Sequence, residues 1–277
     1  MGKLRKFLQS SPDLPSRTFS SIFIVVAILG GIYAGGIYWS VIVSVVAMFS
    51  LLEFYKMQST KQDLSPWLVI ISGGFILLGT ALDMSLTSIL CTISCIVFIA
   101  LFLEIVKHQI KNESFALENM GAVISGIAYI ILPWSFMIII RGRNLGLVVL
   151  LALFLCTWSC DVAAYFIGSI FGKTLLCDKV SPNKTWEGFC GGVVASFICG
   201  GTIYLLFPSV PLFSLLLMGL LFGIAGQIGD LGESLLKREA GVKDAGSGIP
   251  GHGGFMDRFD SILVNATLAF LILEIIG

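Results

Sequence analysis

The sequence QIGDLGESLLKREAGVKDAGSGIPGHGGFMDRFDS, residues 227–261, is the most informative stretch of this 277-residue chain. The chain has 17 basic and 17 acidic residues, and ten of these charged residues lie between Asp230 and Asp260. Apolar runs flank the stretch, at 212–228 and 262–276. Charged groups beside membrane-grade segments are costly to keep and are usually functional. We therefore interpret residues 227–261 as an active site at a membrane surface.

The composition around this stretch predicts a membrane protein. Hydrophobic residues make up 56% of the chain and charged residues only 12%, whereas soluble domains carry about 25% charged residues. Mean hydropathy is +0.96. Long apolar runs recur along the chain, and helices are the expected spanning elements because backbone polar groups need internal partners in a bilayer. The net charge of zero gives no indication of a nucleic-acid partner.

We predict an all-α polytopic membrane protein with about nine transmembrane helices, folded as a single membrane domain over residues 1–277. The predicted spans are 18–36, 37–54, 66–82, 86–106, 120–140, 146–171, 189–207, 212–228 and 259–276. Residues 1–140 are expected to form a scaffold of N-terminal helices. Residues 141–277 are expected to supply the catalytic helices and loops.

Basic residues predict the orientation, because cytoplasmic loops of membrane proteins carry an excess of Lys and Arg. Basic segments (the N-terminal tail, 53–63 and 107–119) alternate with nearly uncharged turns (35–36 and 83–85). This alternation predicts a cytoplasmic N-terminus, although Arg141 and Arg143 fall on the outer side and break the pattern. The charged stretch and the 172–188 loop then both face the cytoplasm, where nucleotides are found.

Residues 227–240 are predicted to continue the eighth span as a helix beyond the hydrocarbon. Four side chains then share one face at spacings of i, i+4, i+7 and i+8: Asp230, Ser234, Lys237 and Arg238. The face presents a carboxylate, a hydroxyl and two cations in a column, which could bind a ligand. A solvated helix end with routine ion pairs would show the same pattern. For Glu233 and Glu239, off this face, we favour the solvated helix end.

Residues 243–254, KDAGSGIPGHGG, contain five glycines and predict a loop whose backbone N–H groups approach a ligand closely. Lys243 begins this loop. His252 is interpreted as a phosphate-binding residue, a general acid or an ordinary loop residue. Asp257 and Asp260 then follow near a helix N-terminus, where carboxylates also cap helices, and Asp260 is the better candidate for a cap.

The acidic residues suit a hard cation such as Mg²⁺, since the chain has too few Cys and His residues in suitable spacing for zinc. Magnesium binds through one or two carboxylates plus substrate phosphate oxygens. Asp230 and Asp257 are the first choice of ligands, because each is expected at a helix–loop junction. Asp161 lies within a predicted membrane helix and should line a polar cavity, in a metal, nucleotide or structural role.

The 172–188 loop supplies further groups that suit phosphate oxygens. Ser181, Lys184 and Thr185 offer hydroxyl and ammonium donors. The alternative is a basic loop that rests on anionic lipid head groups. We favour that alternative for Lys173 and a functional role for Lys184.

The run from Ser234 to Asp260 resembles the signature of the phosphatidate cytidylyltransferases (CDP-diacylglycerol synthases) of bacterial type. The matching positions are Ser234, Lys237, Arg238, Lys243, Asp244, Gly246, Ile249, Pro250, His252–Phe255, Asp257, Arg258 and Asp260. Segments beginning at Asp161, Ser181 and Gly229 are similar as well, so the resemblance covers about 157–261. The N-terminal half is alike only in its hydrophobic spans.

The resemblance implies transfer of CMP from CTP to phosphatidic acid in phospholipid biosynthesis, giving CDP-diacylglycerol and pyrophosphate. It implies Mg²⁺ bound by Asp230 and Asp257, with K⁺ as a second cation. It also implies a homodimeric, multi-pass enzyme of the inner (plasma) membrane with a polar cavity open to the cytoplasm. Dimer contacts would then involve the scaffold helices.

From the residues and the resemblance together we expect two groups of site residues. The expected catalytic residues are Asp230, Asp257, Lys237 and Arg258. The expected substrate-binding residues are Asp161, Ser181, Lys184, Thr185, Ser234, Arg238, Lys243, His252 and Asp260. Two other functions stay open, a CTP-dependent polyprenol or phytol kinase and an ion-coupled secondary transporter in which Asp161 serves an ion pathway.

Overall fold

Helices account for most of the computed structural model, which describes residues 14–58, 66–246, 248 and 253–276. In chain order they are α1 (Leu14–Ala34), α2 (Gly36–Gln58), α3 (Pro66–Ala81), α4 (Leu86–Lys111), α5 (Ala116–Gly126), a π-helix (Ile127–Ile131), α6 (Leu132–Gly142), α7 (Gly146–Phe171), α8 (Trp186–Leu206), α9 (Leu212–Glu239) and α10 (Met256–Ile276). Among these described residues, six segments are long and apolar enough to cross a membrane: α2, α4, α5 to α6, α7, α8 and α9. The prediction of a helical, multi-pass membrane protein is therefore confirmed.

Within the part of the chain that the structure describes, one connecting segment forms β-strands. The segment between α7 and α8, predicted as a loop, contains an antiparallel pair of strands, β1 (Leu175–Cys177) and β2 (Ser181–Thr185). Pro182 disfavours helical backbone at Ser181, which is consistent with an extended strand there. This hairpin holds three of the predicted substrate-binding residues on one short strand.

The N-terminal half is packed by large side chains. Among its fully buried residues are Trp39, Leu51, Phe54, Ile76, Leu77, Ile130, Ile131 and Trp134. The indole N–H of Trp39 donates a 2.9 Å hydrogen bond to the carbonyl of Met137, and the Tyr55 hydroxyl donates one of 2.8 Å to that of Ala122. Apolar rings with satisfied polar ends therefore join α2 to the α5–α6 segment.

The C-terminal half is packed by small residues, which bring helix backbones together. A Cβ added to Gly200 of α8 would overlap the carbonyl oxygen of Leu215 in α9, and one on Gly219 would lie 2.6 Å from the Ser196 carbonyl oxygen. The Ser196 hydroxyl also donates a 2.7 Å hydrogen bond to the carbonyl of Gly219. Small residues permit this close approach in membrane helices, where burial of apolar surface gives little driving force.

The two arginines that broke the charge pattern have structural partners. Arg141 Nε donates a 2.6 Å hydrogen bond to the carbonyl of Ile32, and its Nη2 donates one of 3.2 Å to that of Tyr33. Arg141 thus binds the last carbonyls of α1, as basic side chains do at helix C-termini. Arg143 pairs with Glu274 near the end of α10 at 2.7 Å. Helix-end contacts therefore account for these two arginines.

Candidate active site

The α9 helix carries the predicted column of polar residues. It runs without interruption to Glu239 and ends where Gly241 adopts a left-handed backbone with φ of 74°. The prediction that the helix extends beyond residue 228 is confirmed. Asp230, however, lies within the helix and not at a helix–loop junction, because the polar residues that follow it stay helical.

Lys237 is the cation that joins α9 to α10. Its side chain is 13% exposed, and Nζ lies 2.7 Å from Asp257 Oδ1 and 3.2 Å from Glu233 Oε1. The Glu233 side chain is fully buried. The interpretation of Glu233 as part of a solvated helix end is therefore wrong. Glu239 is exposed, as that interpretation predicts. Loss of one partner from such a buried ion pair leaves an uncompensated charge.

Asp257 ties both ends of the glycine-rich loop to the start of α10. Its Oδ2 accepts hydrogen bonds from the backbone N–H groups of Ala245 at 3.0 Å and Gly254 at 2.9 Å. Gly253 beside it has a φ of 84°, a left-handed conformation that favours glycine. The suggested capping role of Asp260 is not seen, because α10 begins at Met256, and Asp260 Oδ1 accepts a 2.6 Å hydrogen bond from the N–H of its neighbour Ser261 within that helix.

The hairpin brings a second lysine to α9. Lys184 Nζ lies 2.6 Å from Asp230 Oδ2, and both side chains are partly exposed. The Thr185 hydroxyl accepts a 3.2 Å hydrogen bond from the N–H of Gly188 and so caps α8. Arg238 Nε donates a 3.4 Å hydrogen bond to the carbonyl of Val180 in the hairpin turn. The hairpin and α9 are thus joined by two basic residues.

Two neighbouring cavities meet at these residues. One, of about 650 Å³, is lined by Asp161, Asp230, Lys237, Asp257, Arg258 and Asp260, among others. The second, of about 520 Å³, is lined by Asp161, Asn183, Lys184, Thr185, Gln227 and Asp230, among others. Asp161 and Asp230 line both cavities and form an acidic wall between them. A pair of cavities with a common charged wall provides room for two polar ligands.

Some predicted substrate-binding residues lie apart from this pair of cavities. Ser181, Ser234, Arg238 and Lys243 line neither of them. Lys243 and Arg238 are exposed. His252 lies outside the described residues. The residues that the structure does bring together come from α7, the hairpin, α9 and the start of α10.

The donor chemistry of this site fits a hard divalent cation. The carboxylates of Asp161, Asp230, Asp257 and Asp260 outnumber the side-chain cations that line the first cavity, Lys237 and Arg258. Among the described residues no three acidic, histidine or cysteine side chains form a preassembled metal site. Magnesium needs only one or two carboxylates when water and substrate phosphates complete its shell. Oxygen-rich surroundings with excess negative charge meet that requirement.

Asp257 differs from Asp230 in how fully its oxygens are used. Both of its oxygens accept hydrogen bonds, from Lys237 and from the backbone N–H groups of Ala245 and Gly254. A carboxylate has about four lone-pair positions, and these contacts occupy them. A cation would bind Asp257 in exchange for one of those donors, of which Lys237 is the side-chain donor. Asp230 has its Lys184 ion pair on one oxygen.

Sequence reasoning missed Glu53, which contacts the site from the N-terminal half. Glu53 is 6% exposed, and its Oε2 accepts a 2.9 Å hydrogen bond from the N–H of Met256. The signal was present, because Glu53 is a carboxylate inside the predicted span 37–54, and such a residue is functional by default. Gln227, whose amide donates to the carbonyls of Phe189 and Gly223, was missed as well.

Known proteins are similar in sequence to this chain over nearly its whole length. The sequence profile of the cytidylyltransferase family matches residues 15–276. The phosphatidate cytidylyltransferase of Bacillus subtilis is 31% identical over 271 residues, which cover 95% of this chain and 98% of that protein. Those of Staphylococcus aureus strain COL and Staphylococcus saprophyticus are each 31% identical, covering 89% and 94% of this chain and 94% and 99% of the relative. The chain therefore belongs to the cytidylyltransferase family, a family of nucleotidyltransferase enzymes.

Proposed function

We propose that the protein is a phosphatidate cytidylyltransferase, which transfers CMP from CTP to phosphatidic acid and releases pyrophosphate. The family and its phosphatidate cytidylyltransferase relatives support this function. The observation that carries it in the structure is the pair of cavities that share Asp161 and Asp230. A transfer between two phosphate-bearing substrates requires two polar sites that meet at the reacting atoms.

The reaction joins two anions and requires little proton transfer. An oxygen of the phosphatidate phosphate forms a bond to the α-phosphorus of CTP, and the bond from that phosphorus to the β-bridging oxygen breaks. Pyrophosphate leaves with the electron pair. Phosphomonoesters have a second pKa near 6, so the attacking group is largely ionised at neutral pH. Positioning and charge neutralisation are therefore the main tasks of the protein.

Lys184 and Lys237 are placed for these tasks on opposite sides of the acidic wall. Each is held by a carboxylate, Asp230 at 2.6 Å and Asp257 at 2.7 Å. An incoming phosphate can take over either ammonium group, because a phosphate oxygen is also an anionic acceptor. Arg258 lines the first cavity and offers a planar guanidinium to a second phosphate. These three cations would hold the reacting groups and the leaving pyrophosphate.

Magnesium completes this proposal. Asp230 and Asp257 would hold it, and when bound it supplies positive charge beside the phosphate oxygens. Release of Lys237 from Asp257 would then free an ammonium group for substrate. The K⁺ implied by the family resemblance remains a prediction, and no residue is assigned to it.

The arrangement in the membrane is likewise proposed. We infer nine spans, a cytoplasmic N-terminus and an active site that opens to the cytoplasm from the inner (plasma) membrane. Support comes from one cavity of about 570 Å³, whose lining includes Gly36, Asp83 and Arg143. Three predicted outer turns thus meet at one place. The homodimer, with contacts from the scaffold helices, is tested by cross-linking in native membranes.

CTP labelled separately in its α- and γ-phosphates tests the function. Purified full-length protein in detergent is given each label with phosphatidic acid and Mg²⁺. We expect the α label in lipid and the γ label in released pyrophosphate. A γ label in lipid would instead indicate a CTP-dependent lipid kinase, and absence of the α label from lipid would contradict the cytidylyltransferase. Asp161, Asp230, Lys184 and Lys237 gather at one pair of cavities, whereas a secondary transporter is expected to place such charges in paired repeats, and this disfavours the transporter.

A further inference from the structure

A buried glutamate of the scaffold half contacts the segment that carries Asp257. Glu53 lies in the last turns of α2, and its hydrogen bond to the N–H of Met256 joins residues 203 positions apart. Met256 is the first residue of α10, so this N–H is one of those that the helix itself leaves without a partner. A buried carboxylate is tolerated only with such compensation. The contact therefore fixes the start of α10 against α2.

Three glycines of the loop leave the space that the Glu53 carboxylate occupies. A Cβ on Gly246 would lie 2.5 Å from Oε1, and the three atoms nearest to it would all belong to Glu53. A Cβ on Gly248 would lie 2.9 Å from the same oxygen, and one on Gly254 would lie 2.5 Å from Oε2. Any larger residue at these positions would collide with the carboxylate. Glu53 thus explains why this part of the loop is glycine.

A ring contact one helical turn away strengthens the same interface. Phe49 stacks on Phe255 with ring centroids 4.9 Å apart and an angle of 13° between the planes. Phe49 and Glu53 are spaced i, i+4 and lie on one face of α2. Through them α2 contacts both residues that precede Asp257.

We propose that Glu53 is a positioning residue, whose carboxylate closes the glycine-rich loop and sets the place of Asp257 relative to Lys237. Gly254 lies between two carboxylates, since a Cβ added to it would lie 2.5 Å from Glu53 Oε2 and its N–H donates to Asp257. Displacement of Glu53 therefore moves Gly254, whose N–H holds the Asp257 carboxylate in place. The affinity of the site for a divalent cation then falls. This inference rests on the proposed function for the role of the cation.

Three substitutions at position 53 test it, with Mn²⁺ alone as the probe. Binding is measured by electron paramagnetic resonance on the full-length protein in detergent, without CTP. Glu53→Gln keeps the shape and an oxygen for the Met256 N–H, so we expect it to retain most of the affinity. Glu53→Asp withdraws the carboxylate by one bond of about 1.5 Å. Glu53→Asp and Glu53→Ala should both weaken Mn²⁺ binding about 10- to 100-fold, as loss of a residue that orients a metal ligand does.

The ranking of these variants separates positioning from direct ligation. If Glu53 itself bound the cation, the charged Glu53→Asp would retain more affinity than the neutral Glu53→Gln. That ranking would overturn the proposal, as would wild-type affinity in Glu53→Ala. If the wild-type protein transferred no α label from CTP, the proposed function would fail, whereas the effect of Glu53 on Mn²⁺ binding would still be measured.

Glu104 provides a matched control for general destabilisation. It is 7% exposed in α4, and its carboxylate accepts hydrogen bonds from the N–H of Phe115 at 3.0 Å and from the Asn119 amide at 2.6 Å. Like Glu53, it is a buried carboxylate that accepts a hydrogen bond from a backbone N–H at the start of another helix, here α5. We expect Glu104→Ala to lower the unfolding temperature and to leave Mn²⁺ affinity unchanged. An equal loss of affinity in Glu104→Ala would overturn the proposal.

Gly246→Ala approaches the same contact from the loop. Its new methyl group would push the Glu53 carboxylate away from Met256, and we expect a loss of Mn²⁺ affinity similar to that of Glu53→Ala. In the double variant that combines Gly246→Ala with Glu53→Ala, the new methyl group at position 246 lies in the space that the Glu53 side chain occupies in the wild-type protein. The two losses should therefore be clearly less than additive, as for residues in direct contact. Fully additive losses would contradict a shared contact.

Discussion

The two halves of the molecule are held together in different ways. The scaffold half buries large rings and branched side chains, among them Trp39, Phe54 and Trp134. In the C-terminal half, Gly200 and Gly219 let α8 and α9 touch through their backbones. In this half, Asp230 and Lys237 of α9 line the two cavities. Close packing of helices by small residues thus occurs in the half that contains the polar cavities. In the N-terminal half, large side chains fill the space between the helices.

The largest loss of stability should follow from Trp134→Ala. Trp134 is fully buried, and its ring meets that of Phe259 at 5.1 Å. Removal of a buried Trp side chain destabilises proteins by about 3–5 kcal/mol. Trp67→Ala is the control, because Trp67 is 70% exposed on α3. Thermal unfolding in detergent compares the two, and equal effects would show that side-chain packing does not hold the scaffold.

Asp257→Asn tests the other half by activity. We expect loss of turnover by about 100- to 1,000-fold, the size of effect seen when one transition-state electrostatic group is removed. The physical reason is loss of the charge that pairs with Lys237 and that would bind the cation. Membrane insertion should be retained, as shown by fractionation. Near-normal turnover would remove Asp257 from the proposed metal site.

Gly200→Ala tests backbone packing at a smaller scale. The added methyl group overlaps the Leu215 carbonyl oxygen, so α8 and α9 must separate. Overpacking of this kind destabilises by about 1–3 kcal/mol. Gly201→Ala is the adjacent control, since a Cβ there lies at an ordinary 3.4 Å from Leu216. If both variants unfold at the same temperature, direct backbone contact is not what holds these helices together.

Asp83→Asn should have the smallest effect on both properties. Asp83 lies in the turn between α3 and α4 with a φ of 58°, a conformation that Asn also tolerates. It lines the cavity with Arg143 and not the pair of catalytic cavities. We expect wild-type turnover and an unchanged unfolding temperature. A marked fall in turnover would show that the cavity at Asp83 affects the reaction, contrary to its separation from the cavities lined by Asp161 and Asp230.

The sequence was sufficient to predict elements whose signals are local. Apolar length predicted the helices, and the spacing of Asp230 and Lys237 predicted a polar face on α9. Family resemblance identified the charged loop, but it did not reach α2. Glu53 was missed because its partner, Met256, is brought near only by tertiary packing. Glu233 was misread for a related reason, since helix periodicity gives a residue's face but not what covers that face.

The hydrogen bond from Met256 to Glu53 has a consequence for biosynthesis. Nearly three quarters of the chain separates the two residues, so the bond cannot form until Met256 has left the ribosome. A nascent chain that stops before residue 256 would already hold both catalytic-cavity lysines, yet its glycine-rich segment would have no anchor. The glycine-rich segment can therefore be anchored to α2 only late in synthesis, after the helices that precede it in the chain have been made.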